Sequence, residues 1–264
     1  MTLNYDKFIL LGDSITEYSV YSTDNFSLSQ AIQNLYSRRL DVLVRGFGGY
    51  NSTHLAYILP EILKAELNAD KNNIKLMTIF IGTNDASQVD DRMGRMQSVD
   101  IQKFQENIET LCELALSSNI KPIFIGPALH GKKLVLDALK AEGRSSNVPW
   151  SSNSRNLEYS QVVELVAKKY NVPFVNLWEA FRLWGKWDKE EVLADEVDLK
   201  TLMHDGIHFT GAAYKILLQE LEAKVEEWYP ELVGSNLELK LNRWNLLEEE
   251  ELPEVIFKNH KRLD

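Results

Sequence analysis

The chain has 264 residues, 44% hydrophobic and 26% charged, with a formal net charge of -10. That is enough for one α/β domain with a full core, or for two small domains, and the composition is that of a globular protein. The negative charge argues against a nucleic-acid backbone or an anionic membrane as main partner, and leaves a small neutral substrate open. The single cysteine, Cys112, excludes an internal disulfide and a thiolate metal cage. The residues from Met1 to Lys7 lack a basic head and a signal-type apolar stretch, and no apolar run reaches membrane-spanning length. A cytoplasmic protein is the expectation.

Strand-like and helix-like segments alternate along the chain. Lys7 to Leu11 reads as a buried strand ending in Gly12-Asp13-Ser14. Leu28, Ala31, Ile32, Leu35 and Tyr36 then recur at helical spacing. Asp41 to Gly46 is a second strand, closed by Phe47-Gly48-Gly49. A helix follows from about Thr53 to Leu67, which Pro60 should kink or split. Ile74 to Gly82 is a third strand, ending in Thr83-Asn84-Asp85. Ile101, Phe104, Ile108, Leu111, Cys112 and Ala115 form an amphipathic stripe, which makes Cys112 a buried structural thiol. Lys121 to Pro127 is the fourth strand. From Ala128 to Asn156 the pattern weakens, and small and polar residues around Gly143 to Ser154 suggest a lid-like excursion. A helix over Leu157 to Tyr170 and a fifth strand over Val172 to Leu177 restore it. Trp178, Trp184 and Trp187 weight the next segment, and Tyr214 to Trp228 gives a last long helix.

Five strands, each followed by a helical pattern, predict an α/β fold with a doubly wound parallel sheet. The domain is expected to span residues 1–230. Residues 231–264 form an extension that packs on it or on a second subunit, as in a homodimer. Leu237, Leu239 and Leu241 alternate like an edge strand, and Glu248 to Glu251 reads as a solvated face.

Ester cleavage by serine needs a hydroxyl nucleophile, a base, an anion that orients the base, and donors for the tetrahedral oxyanion. Ser14 is the candidate nucleophile and His208 the candidate base. Asp205, three residues before His208, can face Nδ1 of the imidazole and leave Nε2 for Ser14; Gly206 between them favours a turn. The backbone N–H groups of Ser14 and Gly49 and the amide of Asn84 are the candidate oxyanion donors. Each has a plain structural alternative. Ser14 can be a helix N-cap with Glu17 closing a capping box, Gly48-Gly49 a turn, and Asn84 an Asx-turn. Asp13 and Asp85 suit turn and cap roles, and His54, His130 and His260 suit structural or exposed positions. His204, Asp205 and His208 also allow a metal reading, but Gly206 interrupts the helix that His-x-x-x-His spacing needs and no glutamate base lies between the histidines.

These stretches resemble the GDSL family of lipases and esterases, the SGNH hydrolases. Gly12-Asp13-Ser14-Ile15 is similar to the first block, Phe47-Gly48-Gly49-Tyr50-Asn51-Ser52 to the second, Gly82-Thr83-Asn84-Asp85 to the third and Asp205-Gly206-Ile207-His208 to the fifth. Ile15 stands where leucine is usual. The resemblance implies a three-layer α/β/α fold of flavodoxin-like type, a triad of Ser14, His208 and Asp205, and an oxyanion hole of Ser14, Gly49 and Asn84. It implies no cofactor and no metal. A closer likeness, over Tyr5 to about Trp244, is to the fungal isoamyl acetate-hydrolysing esterases, through Ile58 to Leu63, Thr78 to Ala86 and Asp205 to Phe209. Leu129 to Ser154 has no matching pattern. The implied activity is hydrolysis of small carboxylic esters, acetate esters above all; deacetylation of a sugar or cleavage of a lysolipid by the same machinery is the alternative. The expected partner is a small ester, with no nucleic acid and no membrane span. Phe47, Tyr50, Phe209, Trp178, Trp184 and Trp187 are the candidates for closing the acyl side.

Overall fold

Side-chain alternation along β1 (Asp6–Gly12) sets the layering. Phe8 and Leu10 enter one buried cluster and Ile9 and Leu11 another, so the strand is covered on both faces. The computed structural model describes residues 4–67, 73–88, 96–141, 143, 150–247 and 256. The other strands among these are β2 (Leu40–Gly46), β3 (Ile74–Phe80), β4 (Lys121–Ile125) and the two-residue β5 (Phe174–Val175). All pair in parallel, in the order β2-β1-β3-β4-β5. The order reverses direction between β1 and β3, which places the crevice at the carboxyl ends of those strands.

One face carries α1 (Ser14–Tyr18) and α2 (Leu28–Leu35), then α7 (Leu177–Gly185) and α9 (Gly211–Trp228) from the far end of the chain. The other carries α3 (Ser52–Glu66), α4 (Ile101–Ser117) and α6 (Asn153–Tyr170). Two short helices, α5 (Lys132–Ala141) and α8 (Lys189–Leu193), lie in the connections after β4 and α7. Tyr214 ties the first face together: its buried hydroxyl donates to the carbonyl of Ile15 at 2.7 Å, so the last helix holds the first. Cys112 is buried in the second cluster, where burial pushes its thiol up to about 12.

Three expectations need correction. Pro60 does not split α3. The helix is unbroken and Pro60 sits on its exposed side, next to buried Leu59. The stretch after β4 is not all excursion, because α5 occupies its first part; residues 144–149 lie outside the described ones. Leu237, Leu239 and Leu241 form no edge strand, nor do the other described residues of the tail. After α9 it makes short 3-10 turns over Pro230–Leu232 and Gly234–Asn236, and Leu237 packs against the first cluster. Its backbone is then bonded by arginines. Arg39 Nε donates to the carbonyl of Leu237 at 3.0 Å and Arg38 to those of Leu241 and Asn242 at 3.0 and 3.1 Å. Glu248 to Glu251 lie outside the described residues.

Candidate active site

The chain leaves β1 through Asp13, which is fully buried. Its Oδ1 accepts the N–H of Ile15 at 2.9 Å, so Asp13 caps α1. Burial pushes the Asp13 carboxyl up to about 7 against the opposing pull of that N–H and of nearby His208. Ser14 is therefore the first residue of the helix and not its cap, and its hydroxyl is free for other work. Glu17 closes no capping box. Its carboxylate reaches sideways and accepts the N–H of Gly48 at 2.6 Å.

The turn from Met203 to Phe209 brings up the other partners. Gly206 has φ +90°, and a Cβ there would run into the carbonyl of Gly131. The close approach allows Gly131 N–H to bond the carbonyl of Gly206 at 2.8 Å, docking the turn on the loop before α5. Phe209 anchors the turn in the core beside Phe80, Phe181 and Tyr214. On this support His208 Nε2 lies 2.9 Å from Ser14 Oγ, and His208 Nδ1 lies 2.6 Å from Asp205 Oδ2. Asp205 Oδ1 accepts the N–H groups of Ile207 and His208 at 2.9 and 2.8 Å. Burial alone would raise the Asp205 carboxyl. The hydrogen bond and charge of His208, with the two backbone donors, outweigh burial and hold it at about 2. The ring of Tyr18 packs tilted against the imidazole, with 4.8 Å between ring centres. A hydroxyl bonded to an imidazole whose other nitrogen faces a carboxylate is an arrangement that can strip the hydroxyl proton during attack on a carbonyl carbon.

Across the crevice, the turn after β2 has nearly all its N–H groups engaged. Phe47 N–H donates to Gly12 at 3.0 Å, Gly48 N–H to Glu17, and Tyr50 N–H to Phe47 at 3.1 Å. The N–H of Gly49 is the one in this turn without a partner among the described residues. Asn84, buried after β3, donates one amide hydrogen to the carbonyl of Tyr50 at 2.8 Å, and among the described residues the other has no acceptor. Asp85 beneath it accepts the first N–H of α3, from Ser52, at 2.9 Å. Burial pushes Asp85 up to about 7 in spite of the Ser52 hydrogen bonds.

Ser14, Gly49, Asn84, Asp205 and His208 all border one cavity of about 280 Å³. Its apolar wall is Val135, Ala138 and Leu139 of α5 with Trp150 and Ile207. Sequence reading passed over these five, and Gln97 beside Gly49. The four-residue steps Leu134 to Ala138 and Val135 to Leu139 carry the signal for α5, on a helix with no polar cap to announce it. The aromatic candidates fall elsewhere. Trp178 and Phe209 are core residues, Trp187 packs on the core, and Trp184 is largely exposed. Phe47 stacks on Tyr50 outside the cavity, and Tyr50 faces a neighbouring groove.

The remaining histidines have other duties. His54 completes a capping box on α3, accepting the N–H of Asn51 at 3.2 Å. His130 is buried, and its loss of solvent holds it down at about 4. His204 is exposed, its N–H bonding the carbonyl of His208 at 2.9 Å. His260 lies outside the described residues. Among the described residues no three His, Cys, Asp or Glu side chains come together as a metal site, and no helix is long and apolar enough to cross a membrane.

A profile of the GDSL-like lipase/acylhydrolase family matches residues 10–216. An isoamyl acetate-hydrolyzing esterase of Saccharomyces cerevisiae is 36% identical over 254 residues, spanning 92% of this chain and 95% of that protein. An esterase of the same name from Schizosaccharomyces pombe is 29% identical, over 91% of this chain and 83% of its own length. Among solved structures, the acetyl xylan esterase AlAXEase superposes with a TM-score of 0.62 at 19% identity, covering 83% of this chain and 99% of that one. A lipase/acylhydrolase from Enterococcus faecalis superposes with a TM-score of 0.57 at 20% identity, over 90% and 100%. The structural likenesses speak to the fold.

Proposed function

The chain belongs to the GDSL-like lipase/acylhydrolase family and is a carboxylic ester hydrolase, and from that premise we propose that it cleaves small esters, acetate esters of short branched alcohols above all, through Ser14, His208 and Asp205. The observation that carries the reading is the unbroken series from Ser14 Oγ to His208 Nε2 at 2.9 Å and from His208 Nδ1 to Asp205 Oδ2 at 2.6 Å. His208 takes the Ser14 proton as Oγ attacks the carbonyl carbon. The tetrahedral oxyanion is met by the N–H groups of Ser14 and Gly49 and the free amide hydrogen of Asn84. His208 returns the proton to the departing alkoxide. Water then attacks the acyl-serine by the same route, releasing the acid and restoring Ser14.

The substrate follows from which side the base occupies. The leaving alcohol must depart beside His208 Nε2, and the wall on that side is apolar: Ile207 adjoins His208, and Val135 lies against Gly206. A branched alkyl alcohol suits that wall better than a sugar, which would leave its hydroxyls unpaired against Val135, Ala138 and Leu139. A cavity of about 280 Å³ lies just below the usual range of small-molecule pockets, which run from ~300 Å³ upward. That size and the yeast relatives' name both favour a short acyl group. The test is kcat/KM over p-nitrophenyl esters from acetate to decanoate. Rates should fall steadily beyond butanoate; a maximum at octanoate or longer would refute the small acyl site.

A further inference from the structure

We propose that Glu17 is a positioning residue for ester hydrolysis: its carboxylate clamps the Gly48 N–H and so aims the following N–H, that of Gly49, at the carbonyl oxygen under attack. The inference rests on the reading of Gly49 as an oxyanion donor, and adds the group that holds it.

Glu17 is three residues after Ser14 on α1, so nucleophile and clamp share one turn of helix. The helix is pressed onto the end of β2. A Cβ on Gly46 would meet the backbone of Glu17, so only glycine admits α1 at that distance. Glu17 N–H is bonded to the carbonyl of Asp13 at 2.9 Å, which fixes the root of the side chain. From there the carboxylate makes a short charge-assisted bond to Gly48 at 2.6 Å. Among the described residues Glu17 pairs with no lysine or arginine. Glu17 is partly buried as a residue, and its carboxylate, open to solvent, has the Gly48 N–H as its partner.

The turn needs such a hold. Two successive glycines are the most permissive backbone available. Phe47 and Tyr50 are tied on either side, and Gln97 Nε2 holds the carbonyl of Gly49 at 3.1 Å. With Glu17 removed, the peptide joining Phe47 to Gly48 keeps only the bond from Tyr50 N–H to the Phe47 carbonyl, and the φ and ψ of Gly48, which set the direction of the next peptide, lose their anchor. Rotation about them swings the Gly49 N–H away from the oxyanion. Donor geometry matters only as negative charge develops on the oxygen, so the loss belongs to kcat more than to KM.

The experiment compares Glu17→Ala, Glu17→Asp and Glu17→Gln, each checked for folding by circular dichroism, with p-nitrophenyl acetate as substrate. Aspartate keeps the charge but ends ~1.5 Å short of Gly48. Glutamine loses the charge but keeps an oxygen in reach. Glu17→Ala and Glu17→Asp should lower kcat about 10- to 100-fold with KM changed less than about threefold, as a donor displaced by an ångström does. Glu17→Gln should stay within about threefold of the parent in kcat. If Glu17→Ala fails to fold, the Asp and Gln pair still decides. Parent-like kcat in Glu17→Asp, an effect confined to KM, or equal losses in Gln and Asp would overturn the clamp. Asn84→Ala serves as the control on the oxyanion reading itself. A large kcat loss there with unchanged Glu17 variants refutes the clamp alone; no loss there refutes the oxyanion hole on which it rests.

Discussion

Replacing Asp205 by asparagine tests the relay at its most sensitive joint. In the parent protein Oδ1 accepts two backbone N–H groups, from Ile207 and His208, and Oδ2 faces His208 Nδ1 at 2.6 Å. An asparagine has one oxygen for these two places. With the oxygen on the backbone donors, two hydrogen bonds survive and the NH2 faces Nδ1. Turned over, it keeps one bond and sets its NH2 against two N–H groups. The first placement wins by at least one hydrogen bond, about 1 kcal/mol or more. An NH2 donating to Nδ1 forces the imidazole proton onto Nε2, which then donates to Ser14 Oγ and no longer accepts from it. The carboxylate that stabilises the imidazolium is gone as well. Together these should lower kcat about 10³- to 10⁴-fold, or roughly 4–5.5 kcal/mol of barrier. The assay is kcat for p-nitrophenyl acetate near pH 8, with circular dichroism to show that the turn still folds. A loss below about tenfold would refute the reasoning, because Asp205 would then only hold the loop.

Asn84→Ala should lower kcat about 10²-fold with a smaller change in KM, measured on the same ester; an effect on KM alone would make Asn84 a binding group only. Ala138→Phe should fill the alcohol side. It should cut kcat/KM for isoamyl acetate about 10- to 100-fold while methyl acetate is nearly unaffected, and equal losses on both would move the alcohol elsewhere. Asp85→Asn carries the pH prediction. The folded carboxyl titrates at about 7 against 3.8 for the ordinary group, so the folded state holds the proton longer. The stability this gives is full below about pH 4 and lost as pH rises to 7. Asparagine cannot ionise, so from pH 5 to pH 8 the variant should gain about 2–3 kcal/mol relative to the parent in urea unfolding. Parallel profiles would mean that Asp85 is ionised throughout.

The strands and long helices were legible because each carries its own period. β1 is apolar from Phe8 to Leu11 since both faces are covered there, and α4 repeats its buried residues every three or four positions. The five candidate site residues stood out only together: each alone has a plain turn or cap role, but the four motifs that carry them follow one another in order, three after strands and one in the turn before the last helix. What surrounds them was not. Glu17 looks in sequence like half of a capping box, and only the crossing of α1 over β2 shows that it reaches Gly48. Trp150 and α5 belong to a connection whose local pattern is weak; α5 reaches the cavity through Val135 packed against Gly206, and Trp150 through its carbonyl, which accepts the N–H of Gln88 at 2.7 Å. The tryptophans before His208 misled because heavy aromatics near a catalytic turn serve equally well as its foundation; Trp178 is buried with its indole N–H on the carbonyl of Asn153 at 3.0 Å. Alternating leucines in the tail misled for a related reason. A period of two predicts a strand only where an edge is free to receive it, and here the arginines after α2 take the backbone first.

The nucleophile itself is tested most directly by a serine-directed fluorophosphonate, followed by intact mass and peptide mapping alongside residual activity. The account predicts one adduct per chain, on Ser14, with activity falling in step with labelling. It also predicts no adduct in Ser14→Ala, whose kcat should be lower by about 10³-fold or more. Full activity in a chain fully labelled at Ser14, or near-normal turnover by folded Ser14→Ala, would contradict it.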